Sequence, residues 1–360
     1  MDRRTSDRNS EIELLRFLFA CGIVLCHYAA VYDFSFFSRG AIGVEYFFLL
    51  SGLLMARSAR KIVTIKDSKS TGAASWDFLK KKILAFYPYY LFGMLFSFLF
   101  VRTVLRGQVN IQTLIELLNG IPQYLMLEMS GAYVDGIAAI SGRWYLSSML
   151  LAMAILFPVF IRLDRHTARI LFILIGIFGL GYLKQNYNGI MENYVWNGFA
   201  GLGLIRGISE IALGTICFDA AQWISNIRFT LLGKLLVTSV KICCYLSAFL
   251  YGNNILMIDP LIVLFLLMAA VTLSYSRCGW MVDDIPVFSC SGTLGKISLP
   301  LYIMHVPISE MVQTLAGYDF AASHVPYIIL LCLSVAALLP DFLEIVKKNM
   351  QQLGRFIFVH

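Results

Sequence analysis

Charge is what this sequence has least of. Of its 360 residues only 14% are Asp, Glu, Lys or Arg, against about 25% in soluble domains, while 59% are hydrophobic. No polar stretch is long enough to bury a soluble core of its own; the longest runs from about Ser58 to Lys82 and reads as a loop. Cysteine patterns are missing too. Cys21, Cys26, Cys217, Cys243, Cys244, Cys278, Cys290 and Cys332 show no paired metal-ligand spacing and lie in apolar segments or a cytoplasmic loop. They read as small packing residues, so neither a disulfide nor a metal is required. No internal repeat or low-complexity segment occurs. No small-residue cleavage site follows the first apolar segment, which carries Arg16 and reads as a retained transmembrane helix. The formal net charge of +7 is scattered over short loops. That argues against a nucleic-acid surface and for an orientation signal.

What remains is apolar sequence in lengths suited to a bilayer. Ten segments are predicted to span, at 12–32, 40–57, 83–101, 144–161, 168–183, 204–219, 235–251, 255–273, 296–316 and 325–343. A backbone in lipid must satisfy its own hydrogen bonds, so the expected fold is all-α, with no sheet. The chain reads as one membrane-embedded domain, 1–360, with short tails at 1–11 and 344–360. With the N-terminus inside, most Lys and Arg collect on the cytoplasmic side, and the outer side keeps only Arg39, Arg102, Arg106, Arg143 and Lys184. This asymmetry predicts both termini in the cytoplasm. Two outer segments, Asn110 to Met129 and Glu192 to Leu204, are apolar or aromatic enough to lie along the membrane interface. The first is interrupted at Gly120-Ile121-Pro122.

Charged side chains inside the spans each cost about 2.5–3.5 kcal/mol on insertion scales and so call for a reason. Arg206 and Glu210 are spaced i,i+4 and can neutralise one another. Lys241 either snorkels or lines a cavity. Arg16 and His27 are eleven residues apart, three turns, and share a face about 16 Å apart along the axis. Such a pair would fit one bound coenzyme A thioester, with Arg16 on phosphate and His27 at the reacting carbonyl. A snorkelling arginine and a histidine bonded to a neighbouring helix would account for it equally. A guanidinium suits phosphate because its planar fork makes paired charge-assisted bonds. An unperturbed imidazole accepts a hydroxyl proton near neutral pH. In the ninth segment Tyr302 and His305 share a face, and His305 either approaches the same cavity or is structural.

The order of motifs resembles acyltransferase family 3, over essentially the whole chain. Arg16 and His27 match the family's Arg-x10-His. Gly43-Val44-Glu45-Tyr46-Phe47-Phe48-Leu49-Leu50-Ser51-Gly52 is similar to its Gly-Val-acidic-x-Phe-Phe-x-x-Ser-Gly. Asp77 to Lys82 followed by Tyr87-Pro88 resembles its basic run and Tyr-Pro, Trp144-Tyr145-Leu146 its Trp-x-Leu, and Gly295 to His305 its Gly-x-Ile-Ser…Tyr-x-x-His. Two departures matter. Lys82 and Ala85 stand where the family usually has Arg-x-x-Arg, and Ser148 and Met149 where an acidic residue often follows Trp-x-Leu. Phe47, Phe48, Ser51 and Gly52 read as helix packing.

The resemblance implies a multi-pass enzyme of the cytoplasmic (inner) membrane, among membrane lipids. It would transfer acetyl, or less often succinyl, from acetyl-CoA to a sugar hydroxyl of a capsule, O-antigen, exopolysaccharide or lipid-linked glycan. The short segment after the tenth span points to the stand-alone branch, without an added hydrolase-like domain. His27 is expected as general base, Glu45 as a group tuning it, and His305 and Tyr302 as orienting groups. Arg16 with Lys80, Lys81 and Lys82 would hold donor phosphates, and Trp144 would contact substrate. An acyl-histidine relay is the mechanistic alternative. The rival class is a transporter or permease with an intramembrane charge relay, against which stands the lack of any half-to-half repeat.

Overall fold

Asn9 starts the first helix: its side chain accepts from the Glu11 and Ile12 amides and caps α1, Ser10–Val31. Such a cap contributes about 1 kcal/mol, and Glu11 and Glu13 in the first turn complement the helix dipole. The computed structural model describes residues 9–33, 35–65, 70–99, 107, 110–132, 144–187, 189–280, 291–316 and 320–337. After α1 come α2 (Gly43–Ile65), α3 (Thr71–Leu95), α4 (Ile111–Asn119), α5 (Ile121–Tyr124), α6 (Trp144–Arg162) and α7 (Arg165–Asn186). They are followed by α8 (Leu202–Ile224), α9 (Leu231–Gly252), α10 (Pro260–Ser276), α11 (Ser291–Ala316) and α12 (Phe320–Ala337). Among the described residues there is no strand, only an isolated bridge between Trp196 and Gly201. The tails at 1–8 and 338–360, and Cys290, lie outside the described residues. The other seven cysteines are free thiols.

Each of the ten apolar segments falls on one of these helices. Among the described residues, six helices are long and apolar enough to cross a membrane: α1, α2, α3, α6, α7 and α9. Of the rest, α10 is shorter, and α8 carries Arg206, Glu210 and Asp219 within its length. The polar stretch from Ser58 to Lys82 is not the loop expected from its composition. There α2 continues to Ile65, and Ser70 caps α3 by accepting from the Ala73 amide. Lysines, alanines and leucines are good helix formers, so helix outlasts apolarity at this end.

The shorter elements and the helix connections follow their sequence signals more closely. Asn110 and Thr113 form a reciprocal capping box at the start of α4, and Gly120 with Pro122 separates α4 from α5. α4 turns Ile111, Leu114 and Leu118 outward. At the α6–α7 corner Asp164 accepts from the His166 and Thr167 amides. The hydroxyl and amide of Thr167 hold the Asp164 carboxyl below its ordinary value.

Close approach of backbones sets the middle of the bundle. A Cβ on Gly52 of α2 would strike the Ile211 carbonyl of α8, and one on Gly214 of α8 would strike the Leu49 carbonyl. The glycines meet back to back, as small residues do where transmembrane helices cross. At the start of α1, Lys241 of α9 donates to Glu11 at 2.7 Å and to the Trp280 carbonyl at 3.1 Å. Ser274 of α10 donates to the same Glu11. Lys241 therefore neither snorkels nor opens onto a cavity; it is buried in an ion pair that ties α9 and α10 to α1.

Candidate active site

Arg16 sits where two recesses adjoin. Its guanidinium lies 3.1 Å from Glu13, one turn earlier on α1. The first recess, about 180 Å³, is lined by the polar groups of Arg16, Lys82, Ser51, Tyr145, Ser298 and Tyr302 and otherwise by apolar side chains. The second, about 300 Å³, shares Arg16 and Leu54 with it and adds Glu13, Arg57, Tyr275 and Arg277. Three arginines, a lysine and one carboxylate thus line the two adjoining recesses, from α1, α2, α3 and the residue that follows α10.

The helical repeat explains which lysine takes part. Phe78, Lys82 and Phe86 lie four residues apart on one face of α3, and Lys82 rests 5.7 Å from the Phe78 ring while it lines the recess. Lys80 and Lys81 fall on other faces and are exposed. On α2 steps of four and then three residues bring Leu50, Leu54 and Arg57 into register along the wall of the recesses. Arg57 and Arg277 were not singled out from sequence. For Arg57 the signal was there, three residues after Leu54 and seven after Leu50.

Beyond the first recess lie the histidines. Tyr302 closes its far side, and His305 is one turn further along α11. The rings of Tyr302 and His305 have centroids 5.7 Å apart, and those of His27 and His305 only 5.0 Å. The first segment and the ninth, read separately, therefore deliver their histidines to one place. Neither ring lines the recess, which ends at Tyr302. His305 is buried, and its Nδ1 lies 2.6 Å from the Tyr302 carbonyl. A carbonyl oxygen only accepts, so Nδ1 carries the hydrogen there and the neutral ring keeps its lone pair on Nε2. Tyr145 packs edge-on against Tyr302 at 5.9 Å, and its hydroxyl is 3.3 Å from that of Ser51. Sequence reading passed over Tyr145, Ser51 and Ser298 as lining groups.

Glu45 and Trp144 stand elsewhere. Arg206 donates through Nε to Glu210 at 3.2 Å, through Nη2 to Glu45, and through Nη1 to the Met191 carbonyl at 2.9 Å. The Trp144 ring covers the guanidinium, 5.2 Å from it. The expected Arg206–Glu210 pair is present, but Glu45 makes it a triad, and all three side chains are buried. The structure thus engages the Glu45 carboxylate with Arg206, and Trp144 is not among the residues lining the recesses. Among the described residues no cluster of three or more His, Cys, Asp or Glu is placed to hold a metal.

Helices able to cross a membrane, around a recess lined by Arg16 and Lys82 with two paired histidines nearby, define a multi-pass membrane protein. Residues 9–339 match the family model described as an acyltransferase domain, Acyl_transf_3, and the chain belongs to acyltransferase family 3. It is a membrane acyltransferase, which decides against the permease. No curated protein and no solved structure matches it.

Proposed function

We propose that this acyltransferase takes an acetyl group from acetyl-CoA on the cytoplasmic side and esterifies a sugar hydroxyl of a capsular, O-antigen, exopolysaccharide or lipid-linked glycan. The observation that carries this reading is the sharing of one recess by Arg16 and Lys82, with His27 and His305 beyond its far wall. Arg16, Lys82, Arg57 and Arg277 would meet the phosphates of the donor. The pantetheine arm would run past Ser51 and Tyr145 towards Tyr302. In the direct reaction the hydroxyl oxygen attacks the thioester carbonyl and gives its proton to His27. The ester C–O bond forms, the C–S bond breaks, and the departing thiolate takes up a proton. In the relay, Nε2 of His305 first displaces the thiolate, and the sugar hydroxyl then attacks the acyl-imidazole with His27 as base. The decisive experiment supplies the purified protein with labelled acetyl-CoA and a surface-glycan fraction and looks for label in the glycan. Label retained wholly in acetyl-CoA or released as acetate would overturn the proposal.

The reading carries ten helices across the cytoplasmic membrane with both termini inside. In a background lacking the native cysteines, Arg165→Cys should react with an impermeant thiol reagent only after permeabilisation. Phe199→Cys, on the opposite side, should react in intact cells. The reverse pattern would invert the orientation and with it the donor side.

Donor binding has its own test. Arg16→Ala or Lys82→Ala should weaken acetyl-CoA binding by about 1.5–3 kcal/mol, the worth of a charged hydrogen bond. Arg16→Lys should restore only part of it, because an ammonium cannot make the forked contact. Calorimetry on stably folded variants checks this, and unchanged affinity would place the donor elsewhere.

A further inference from the structure

Charge also gathers away from the recesses on Arg16. Arg60 lies one turn beyond Arg57 on α2, and Arg165 and Arg169 lie on the first turns of α7. All three converge on Asp219, near the end of α8, at 3.8, 3.1 and 3.2 Å. Asp219 is buried, and a buried carboxylate needs a cationic partner, so one arginine is accounted for structurally. Both Asp219 oxygens are hydrogen-bonded by Arg165 and Arg169, and that pair carries one more positive charge than the acid neutralises. Asp164, at the start of α7, is taken up in capping that helix through the His166 and Thr167 amides.

The surplus charge is presented outward. The Arg165 and Arg169 side chains are 51% and 37% exposed. With His166 they form one wall of a recess of about 420 Å³, whose other lining residues, all on α8, are Ile216, Asp219, Ala220 and Trp223. Trp223 is 68% exposed, and Ile170, next to Arg169, is 61% exposed. One side of the recess is therefore cationic and forked; the other is apolar and aromatic apart from Asp219, whose carboxylate is taken up by the arginines. None of its residues lines the recesses on Arg16.

We propose that this recess binds the headgroup of an anionic phospholipid. Arg165 and Arg169 take the phosphodiester oxygens, while Ile216 and Trp223 meet the glycerol and the first acyl carbons. A guanidinium pair matches phosphate oxygens in shape as well as charge. The apolar wall selects a lipid over a soluble phosphate, and an exposed tryptophan is the usual companion of a headgroup at the membrane interface. Asp219, hydrogen-bonded to Arg165 and Arg169, holds the two arginines in place, and each guanidinium has further N–H donors for phosphate oxygens. This site does not depend on the donor or on the acceptor.

The test uses the full-length protein in nanodiscs of mixed phosphatidylcholine and phosphatidylglycerol, with co-released lipid measured by native mass spectrometry. The wild-type protein should retain phosphatidylglycerol in preference to phosphatidylcholine. Arg165→Gln and Arg169→Gln should each reduce that preference about fivefold, the worth of one basic residue at an anionic surface. Arg228→Gln with Lys234→Gln, exposed basic positions on the neighbouring connection and α9, should leave it unchanged. Millimolar glycerol phosphate should not displace the lipid. Equal loss in the Arg228/Lys234 variant, or displacement by glycerol phosphate, would overturn the proposal. So would a wild-type protein without the preference, and that result requires no variant to fold.

Discussion

Replacing His27 with alanine should lower acyl transfer by about 100-fold or more while leaving the protein inserted and able to bind coenzyme A. His27 is on the face of α1 that carries Arg16 but does not line the recess that Arg16 lines, so under the proposed mechanism its loss would remove the base and spare the phosphate contacts. Its neighbour His305, with ring centroids 5.0 Å apart, makes the comparison informative. Because His305 is tethered through Nδ1 to the Tyr302 carbonyl, its two nitrogens can be tested separately. In His305→Asn the amide nitrogen falls near the place of Nδ1 and keeps the tether, while Nε2 is lost. An orienting role predicts near-normal turnover for that variant and a modest loss for His305→Ala. An acyl-histidine relay predicts that both collapse. If the two histidines serve one site, the double variant should cost less than the product of the single losses. The measurement is transfer from labelled acetyl-CoA by purified variants of matched stability. Near-normal turnover in His27→Ala would end the general-base assignment.

The segments that became long helices were legible because length and apolarity are read directly from sequence, and lipid leaves helix as the natural outcome. The stretch from Ser58 to Lys82 was misread for the same reason. Hydropathy reports where lipid ends, not where hydrogen bonding ends, so α2 and α3 extend past their apolar parts on local propensity and the Ser70 cap. The break at Gly120-Ile121-Pro122 was visible because capping and proline act within a turn.

In the candidate site, separations along one helix were legible and partnerships between helices were not. The Arg16 to His27 spacing follows from 1.5 Å per residue, and Arg206 to Glu210 from the i,i+4 rule. Nothing local brings His305 to His27; only the resemblance put them in one site. Glu45 could be marked as a charge needing a reason, but its partner is 161 residues away. Helical period divides the lysine run. Three consecutive residues cannot share a helix face, and the packing of α3 selects Lys82 alone for the recess.

The triad on Arg206 should be the most sensitive point of the fold. Arg206→Met should destabilise the protein by about 3–5 kcal/mol, the cost of breaking a buried ion pair from one side, because it leaves two carboxylates in the bundle without their cation. The loss would reach further than one contact. Arg206 holds Glu45 at the start of α2, Glu210 on its own helix and the Met191 carbonyl of the outer segment, so it fixes α2 against α8. α2 in turn carries Ser51, Leu54 and Arg57 into the recesses, and donor binding should weaken along with stability. Removing one acid has a different consequence. Two carboxylates share a single guanidinium, and one oxygen of each, Oε2 of Glu45 and of Glu210, has no hydrogen-bond partner among the described residues. Glu210→Gln leaves a one-to-one pair between Arg206 and Glu45 and should cost less than about 1 kcal/mol. Arg206→Lys should fall between the two, since an ammonium cannot reach both acids and the Met191 carbonyl in the same fork. Thermal unfolding midpoints in one detergent order the three variants. An Arg206→Met protein as stable as the wild type, or a Glu210→Gln protein less stable than Arg206→Met, would show that the triad does not hold α2 to α8.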